Sequence, residues 1–316
     1  MKMRQDPILT VTLNPALDLS ARVPHMIAGP KLRLEQTRYE PGGGGVNVAR
    51  AISLLEGEVL AWVALGGASG AQHLALLQAQ AVPVHQFQAP GETRQSWAVT
   101  DADGRQYRLQ LPGEAWDASL ARAALADIVA QATGLVVLSG SQPPGVDPGF
   151  PQEIATRLGP GRLIVDISGP ALQELHDAPD LQSRPFVLRL DQAEAEALAG
   201  QALTTAAQTI AFAKALLEKG VAEYLCVARG ADGSVLVGNG AAHHCVPPQV
   251  DVVSKVGAGD SFTGAFALAL ARGVAPVDAL CFGTAAAAAA VMTPGTELCR
   301  PEDVTKVLAA CTAIGF

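Results

Sequence analysis

Along the chain, short fully apolar runs alternate with amphipathic stretches. "ILTVTL" (8–13) is β-branched with no polar face and reads as a buried strand. "VLAWVALGG" (59–67), "GLVVLSGSQPPG" (134–145), "RLIVDIS" (162–168), "FVLRL" (186–190) and "EYLCVARG" (223–230) repeat that form. Between them lie helical patterns. "VNVARAISLLEG" sets Val48, Ile52 and Leu55 on one face before a stop at Gly57, and "DQAEAEALAG" follows the run at 186–190. Buried strands alternating with helices predict an α/β domain whose mostly parallel sheet is covered on both faces.

Two stretches break the rhythm. "KLRLEQTRYE" (31–40) and "SWAVTDADGRQYRLQL" (96–111) alternate polar and apolar positions, and the second contains the hairpin signal "DADG". They predict a small antiparallel sheet with one wet face, inserted as a lid. With no proline-rich linker and no repeat, the chain reads as a single domain, 1–316, with lid segments near 14–42 and 92–112. The low-complexity "TAAAAAAV" (284–291) reads as a close-packed helix.

Composition narrows the function. Of the 316 residues 49% are hydrophobic and 16% charged, which describes a core-rich globular protein. The net charge of −8 excludes a broad basic face for nucleic acid, although local positive groups can still bind anions. The five cysteines, at 226, 245, 281, 299 and 311, are odd in number and form no C-x-x-C pair. That suits a reducing compartment better than a disulfide framework. Asn14, Pro15 and Asp18 interrupt the N-terminal apolar run, so no signal peptide is expected. No run of about 18 strongly apolar residues predicts a membrane span. The expected location is the cytoplasm.

Two glycine-rich helix starts carry the candidate chemistry. In "VGAGDSFTGAFALALARG" (256–273), Gly257, Ala258 and Gly259 precede Asp260 at a helix N-terminus. Such an end offers unpaired N–H groups and partial positive charge to an anion. A carboxylate there suits a base that takes a proton from a hydroxyl, or else a simple helix cap. "PGGGGVNVA" ends one strand and opens another helix. Its glycines would let a sugar lie against bare backbone beside the Asn47 amide, or would serve a tight turn. No G-x-x-x-x-G-K-[ST] loop occurs. His243 and His244 are adjacent, so on a strand they face opposite ways and suit no shared metal.

"GGGGVNVARA", "SGSQPPG" and "VGAGDS", in that order, resemble the ribokinase-like PfkB sugar-kinase family. "TLNPALD" (12–18) marks its hexose-phosphate branch, and "GPKLRLEQTRYEPGGGG", "TRQS", "LPG" and "GTELC" extend the likeness nearly end to end. The resemblance implies a ribokinase-like three-layer α/β/α domain with a small β-sheet lid, commonly a dimer contact. It implies ATP as donor and Mg2+ as counterion. By the same resemblance Asp18, Gly43, Gly44 and Asn47 would line the sugar site. Lys31, Arg33, Arg94 and Ser141 would hold its existing phosphate. Asp260 would be the base, with the amides of Gly257, Ala258 and Gly259 as anion hole. A phosphosugar dianion needs such cations; Lys31 and Arg33 would share one face of the alternating strand, to meet Arg94 on lid closure. The implied reaction is phosphorylation of a ketohexose phosphate, first of all fructose 6-phosphate. Gly44, where 1-phosphofructokinases usually carry lysine, favours that choice over fructose 1-phosphate. Tagatose 6-phosphate is a further alternative, and a weakly catalytic sugar-phosphate sensor is the non-enzymatic one.

The donor side departs from the family. Arg189, Leu190 and Asp191 stand where lysine, proline and asparagine are usual, and Glu194 is retained for a metal held through water. "VARGADGS" carries Ala228 for a common serine, with Gly230 and Gly233 beside the nucleotide, and Thr293 replaces an asparagine. Altered nucleotide affinity or donor choice is the expectation.

Overall fold

The computed structural model describes residues 4–295 and 297–316. The chain opens with β1 (Ile8–Thr12), β2 (Ala16–Arg22), β3 (Glu35–Gly42) and α1 (Gly44–Leu54). It continues through β4 (Leu60–Leu65), α2 (Gly67–Ala79), β5 (Val84–Gln88), β6 (Arg94–Thr100), β7 (Gln106–Gln110) and α3 (Ala118–Gln131). The middle alternates: β8 (Leu135–Ser139), α4 (Phe150–Leu158), β9 (Leu163–Asp166), α5 (Pro170–Asp177), β10 (Val187–Leu190) and α6 (Gln192–Ala199). Then come α7 (Ala206–Lys219), β11 (Tyr224–Ala228), β12 (Ser234–Gly238), β13 (Ala241–Val246), α8 (Ala258–Ala271), α9 (Pro276–Val291), α10 (Pro301–Leu308) and β14 (Thr312–Gly315).

The large sheet has ten strands in the order β14-β13-β12-β11-β10-β9-β8-β1-β4-β5. From β5 to β11 all neighbours run parallel, and every apolar run picked out above lies in this half. Strand side chains feed two core layers alternately. Ala61, Val63 and Leu65 join the layer under α1, α8 and α9, while Trp62 and Ala64 join the layer under α3, α4 and α7. The last three strands are antiparallel, an addition beyond the expected parallel set. The turn between β12 and β13 is Asn239-Gly240, both with positive φ (49° and 75°). This is the two-residue hairpin turn whose twist matches that of paired strands.

The second sheet, β3-β2-β6-β7, comes from residues 16–42 and 94–110. Its middle pair β2–β6 is parallel, where an antiparallel sheet was expected, because the two strands arrive from separate excursions of the chain. The "DADG" turn closes β6 onto β7, with Asp101 accepting from the N–H groups of Asp103 and Arg105 and from the Tyr107 hydroxyl. Lys31 and Arg33 do not share a strand face. They lie in the irregular segment before Glu35, and both are exposed.

Small residues bring the helices close. A Cβ on Gly264 of α8 would lie 2.9 Å from Ala51 Cβ and 3.0 Å from the Val48 carbonyl of α1. This contact sets α1 and α8 side by side with their N-termini at one end of the sheet. Among the described residues no helix is long and apolar enough to cross a membrane.

Candidate active site

The glycine run is pressed against the chain itself. The Gly42 carbonyl meets His73 Nε2 at 3.0 Å. Burial pushes His73 down to about 4, so the ring is neutral and Nε2–H donates. Gly43 needs φ of 124°, and a Cβ there would sit 2.7 Å from Thr12 Cγ2. A Cβ on Gly44 would lie 2.7 Å from Gly140 N, and one on Gly45 2.6 Å from the Val11 carbonyl. Gly42 faces the Asp18 carboxylate. Each glycine thus makes room for a protein neighbour.

Opposite this run α8 begins. Gly257 is its N-cap, in the left-handed region at φ 79°, and the first intrahelical bond runs from Ser261 N to the Gly257 carbonyl. The N–H groups of Ala258, Gly259 and Asp260 therefore precede the helical ladder. Asn47 Nδ2, from the first turn of α1, donates to Asp260 Oδ2 at 2.9 Å. Asn47 Oδ1 in turn accepts from Arg50 Nη1 at 2.9 Å, which fixes the amide's orientation. Arg50 is held by Gln80 Oε1, 2.7 Å from Nε, and lies 3.9 Å from Glu40. Burial pushes the Asp260 carboxyl up to about 7, the nearby Asp166 adds to the rise, and the Asn47 bond opposes it.

Behind α8, Arg189 Nη1 pairs with Asp166 Oδ1 at 3.2 Å, and Thr263 Oγ1 donates to Asp166 Oδ2 at 2.8 Å. A Cβ on Gly259 would lie 3.0 Å from Arg189 Nη2, so the guanidinium rests against the loop that opens α8. On the small-sheet side, burial raises Asp18 to about 6; Arg94 opposes this and Glu40, its cross-strand neighbour, reinforces it. Asn14 ties this side together. Its Nδ2 donates to Ser141 Oγ at 3.1 Å, and its carbonyl accepts from Arg94 Nε at 3.3 Å.

A basic group, two helix N-termini and a carboxylate that titrates near neutrality meet at the carboxyl ends of parallel strands. A family model described as pfkB family carbohydrate kinase matches residues 12–303. The chain belongs to the pfkB family. It is similar to ATP-dependent 6-phosphofructokinase isozyme 2 of Escherichia coli K12, 36% identical over 96% of this chain and 98% of that protein. The protein of the same name from Mycobacterium tuberculosis is 35% identical, over 95% and 88% of the two chains. The crystal structure of phosphofructokinase-2 from E. coli with potassium superposes with a TM-score of 0.87 at 35% identity, covering 96% and 98%. Another structure of that protein is of its tetrameric inhibited form.

Several of the expected donor-side positions also have structural partners within the chain. Thr293 is buried, and its hydroxyl lies 2.8 Å from the Ala290 carbonyl and 2.9 Å from that of Glu297. It finishes α9. Asp191 and Glu194 form a capping box for α6, each side chain taking the other's main-chain N–H at 2.8 Å. Gly233 is required by its turn: φ is 84° and a Cβ would strike the Cys245 carbonyl. Gly230 has φ of 60° with open space beside it, and Ala228 ends β11 opposite Ser234. Lys31 and Arg33 make no ion pair among the described residues. Thr296 of "GTELC" lies outside the described residues. Asn14, Arg50, His73 and Asp166 join the site without having been singled out. Asp166 had the clearest signal, a carboxylate at the carboxyl end of a buried parallel strand, where ligands of such sheets gather.

The raised pKa of Asp260 links its proton to folding. An acid whose folded-state value exceeds its unfolded one binds its proton more tightly when folded. The contribution of Asp260 to stability is therefore fully present below about pH 4 and is lost as pH rises through about 7. Asp260→Asn removes that penalty. Urea denaturation should find the variant more stable by about 1–2 kcal/mol at pH 8, with the difference vanishing near pH 4–5.

Proposed function

We propose that this protein transfers the γ-phosphoryl group of Mg-ATP to the 1-hydroxyl of fructose 6-phosphate, giving fructose 1,6-bisphosphate and ADP. The observation that carries the reading is the Asp260 carboxylate, raised to about 7 and held by Asn47 at the mouth of α8. A base works best with an acidity constant near the operating pH. As the hydroxyl oxygen bonds to phosphorus and ADP leaves, its proton passes to Asp260. The amides of Gly257, Ala258 and Gly259 stabilise the charge on the transferring group.

On the acceptor side, Asp18, Gly43 and Asn47 hold sugar hydroxyls, with Gly44 against the sugar. Arg94 and Ser141 hold the 6-phosphate, and Lys31 and Arg33 join them when the small sheet closes. On the donor side, Arg189 places a fixed cation against Gly259. Ala228, Gly230 and Gly233 border the nucleotide.

The residues fit a divalent cation held chiefly through water. Burial raises Glu194 to about 7, and Asp191 and Asp166 add to the rise against the Asp191 N–H. A carboxyl crowded by other acids is one a cation relieves. Mg2+ keeps several waters and needs only one or two carboxylates. When bound, Mg2+ would neutralise phosphate charge, with Glu194 and Asp191 holding its waters.

A homodimer through the small sheet completes the proposal. A row Tyr39–Leu19–Trp97–Leu109 crosses that sheet, and its ends are 44% and 49% exposed. Light scattering of the intact chain should give a dimer; a monomer at micromolar concentration would refute it.

A coupled ADP-release assay over fructose 6-phosphate, fructose 1-phosphate and tagatose 6-phosphate tests the reaction, with fructose 6-phosphate expected to have the highest kcat/KM. Asp260→Asn should lower kcat by about three orders of magnitude with sugar binding retained. Arg50 is a positioning residue for the base. Without it the Asn47 amide is free to turn, and Asp260 loses a bond that lowers its pKa. In Arg50→Met the acid limb of the kcat/KM profile should move up by about half a unit or more. An unmoved limb would make Arg50 merely structural.

A further inference from the structure

Three of the five thiols converge far from this site, between the sheet and α9. The β13–β14 register sets Cys245 opposite Ala313, so Cys311, two residues before it, falls on the same face. Cys281 comes from α9, one turn before buried Thr284, and all three pack into one core layer. The Cys245 thiol is within hydrogen-bond reach of both Cys281 and Cys311. Cys245 is fully buried, whereas Cys281 and Cys311 are half-buried. The three differ in acidity. The hydrogen bond from Cys245 holds Cys311 below the usual thiol value, while the bond to Cys245, with burial, pushes Cys281 up. Among the described residues no such cluster has the geometry to hold a metal ion.

We infer that Cys311 is a peroxide-oxidation site that closes a reversible disulfide with Cys245. A half-buried thiol beside a second, buried thiol is the arrangement in which a sulfenic acid forms at the accessible sulfur and is then resolved by its neighbour. The Cys311 thiolate attacks one oxygen of hydrogen peroxide, the O–O bond breaks, and the departing hydroxide takes up a proton to leave as water. The Cys245 sulfur then attacks the sulfenic sulfur. An S–S bond forms, the S–O bond breaks, and the Cys245 proton leaves with the hydroxyl as a second water. Peroxide thus takes two electrons from two thiols. Attack by Cys281 on Cys245, with the Cys281 proton passing to the departing sulfur, would free Cys311 as a thiol and carry the bond inward. The inward shift that bonding requires falls on β14, an edge strand exposed along its whole length. The bond would close the chain from 245 to 311, the segment that contains α8 and Asp260.

The test uses the full chain. It is treated with a few equivalents of hydrogen peroxide, blocked with N-ethylmaleimide, digested and analysed by mass spectrometry. The expected result is a peptide linking Cys245 to Cys311, loss of two reactive thiols per chain, full recovery with dithiothreitol, and a melting temperature higher by about 5 °C. Cys311→Ser, at a half-buried position, should abolish all intrachain linkage. Cys245→Ser should leave Cys311 as a sulfenic acid that dimedone captures. A Cys245–Cys281 link that vanishes in Cys311→Ser supports the relay. A link that persists in that variant, a link through buried Cys226 or Cys299, or a fully alkylatable Cys311 after peroxide overturns the inference.

Discussion

The hydrogen bond from Asn47 to Asp260 joins residues 213 positions apart, and the geometry of the site depends on it. It spans the first turns of α1 and α8, whose spacing is set where Gly264 lets α8 approach Ala51. α1 is anchored by glycines seated on β1 and on the end of β8, and by the neutral His73 that holds the Gly42 carbonyl. Arg50 and Gln80 determine which way the Asn47 amide faces. A methyl group too many at Gly45 or Gly264 would therefore act on the carboxylate through the helices, not by touching it.

Much of this fold was legible because its cause is local. Buried parallel strands announce themselves as β-branched runs, and the "GAGD" helix start announces its exposed amides. Other features had a local signal that admitted two meanings. Asp191 and Glu194 have the spacing of a capping box, and the box is what forms. Asn239-Gly240 marks a hairpin at the end of a sheet that reads as wholly parallel up to β11. The alternation at 31–34 matches a strand, yet strand pairing starts only at Glu35, with a bulge near Gln36 (φ 50°). Period alone does not supply a partner strand.

The rest was hidden because its cause is non-local. Arg50 looks like any charge on the polar face of an amphipathic helix. Its burial depends on Glu40 from β3 and Gln80 at the end of α2, and neither belongs to the helix that carries Arg50. Thr293 shows the converse. Its hydroxyl meets the Ala290 carbonyl in the last turn of α9 and the Glu297 carbonyl beyond it, partners that its own neighbours in sequence do not announce.

The same reasoning accounts for how a chain of net charge −8 handles anions. Its acids near the site are gathered into two groups, Asp18 with Glu40 and Asp166 with Asp191 and Glu194, and each group is faced by arginine. Arg189 is central to the second group. A planar guanidinium can pair edge-on with Asp166 while its face lies along Gly259, whereas an ammonium is a point charge that would serve one or the other. Asp166 is itself held by Thr263 of α8, so the cation, its counter-ion and the helix N-terminus move as one unit. Arg189 is thus a fixed charge beside the start of α8. The acidity of the surroundings is what keeps that charge in position.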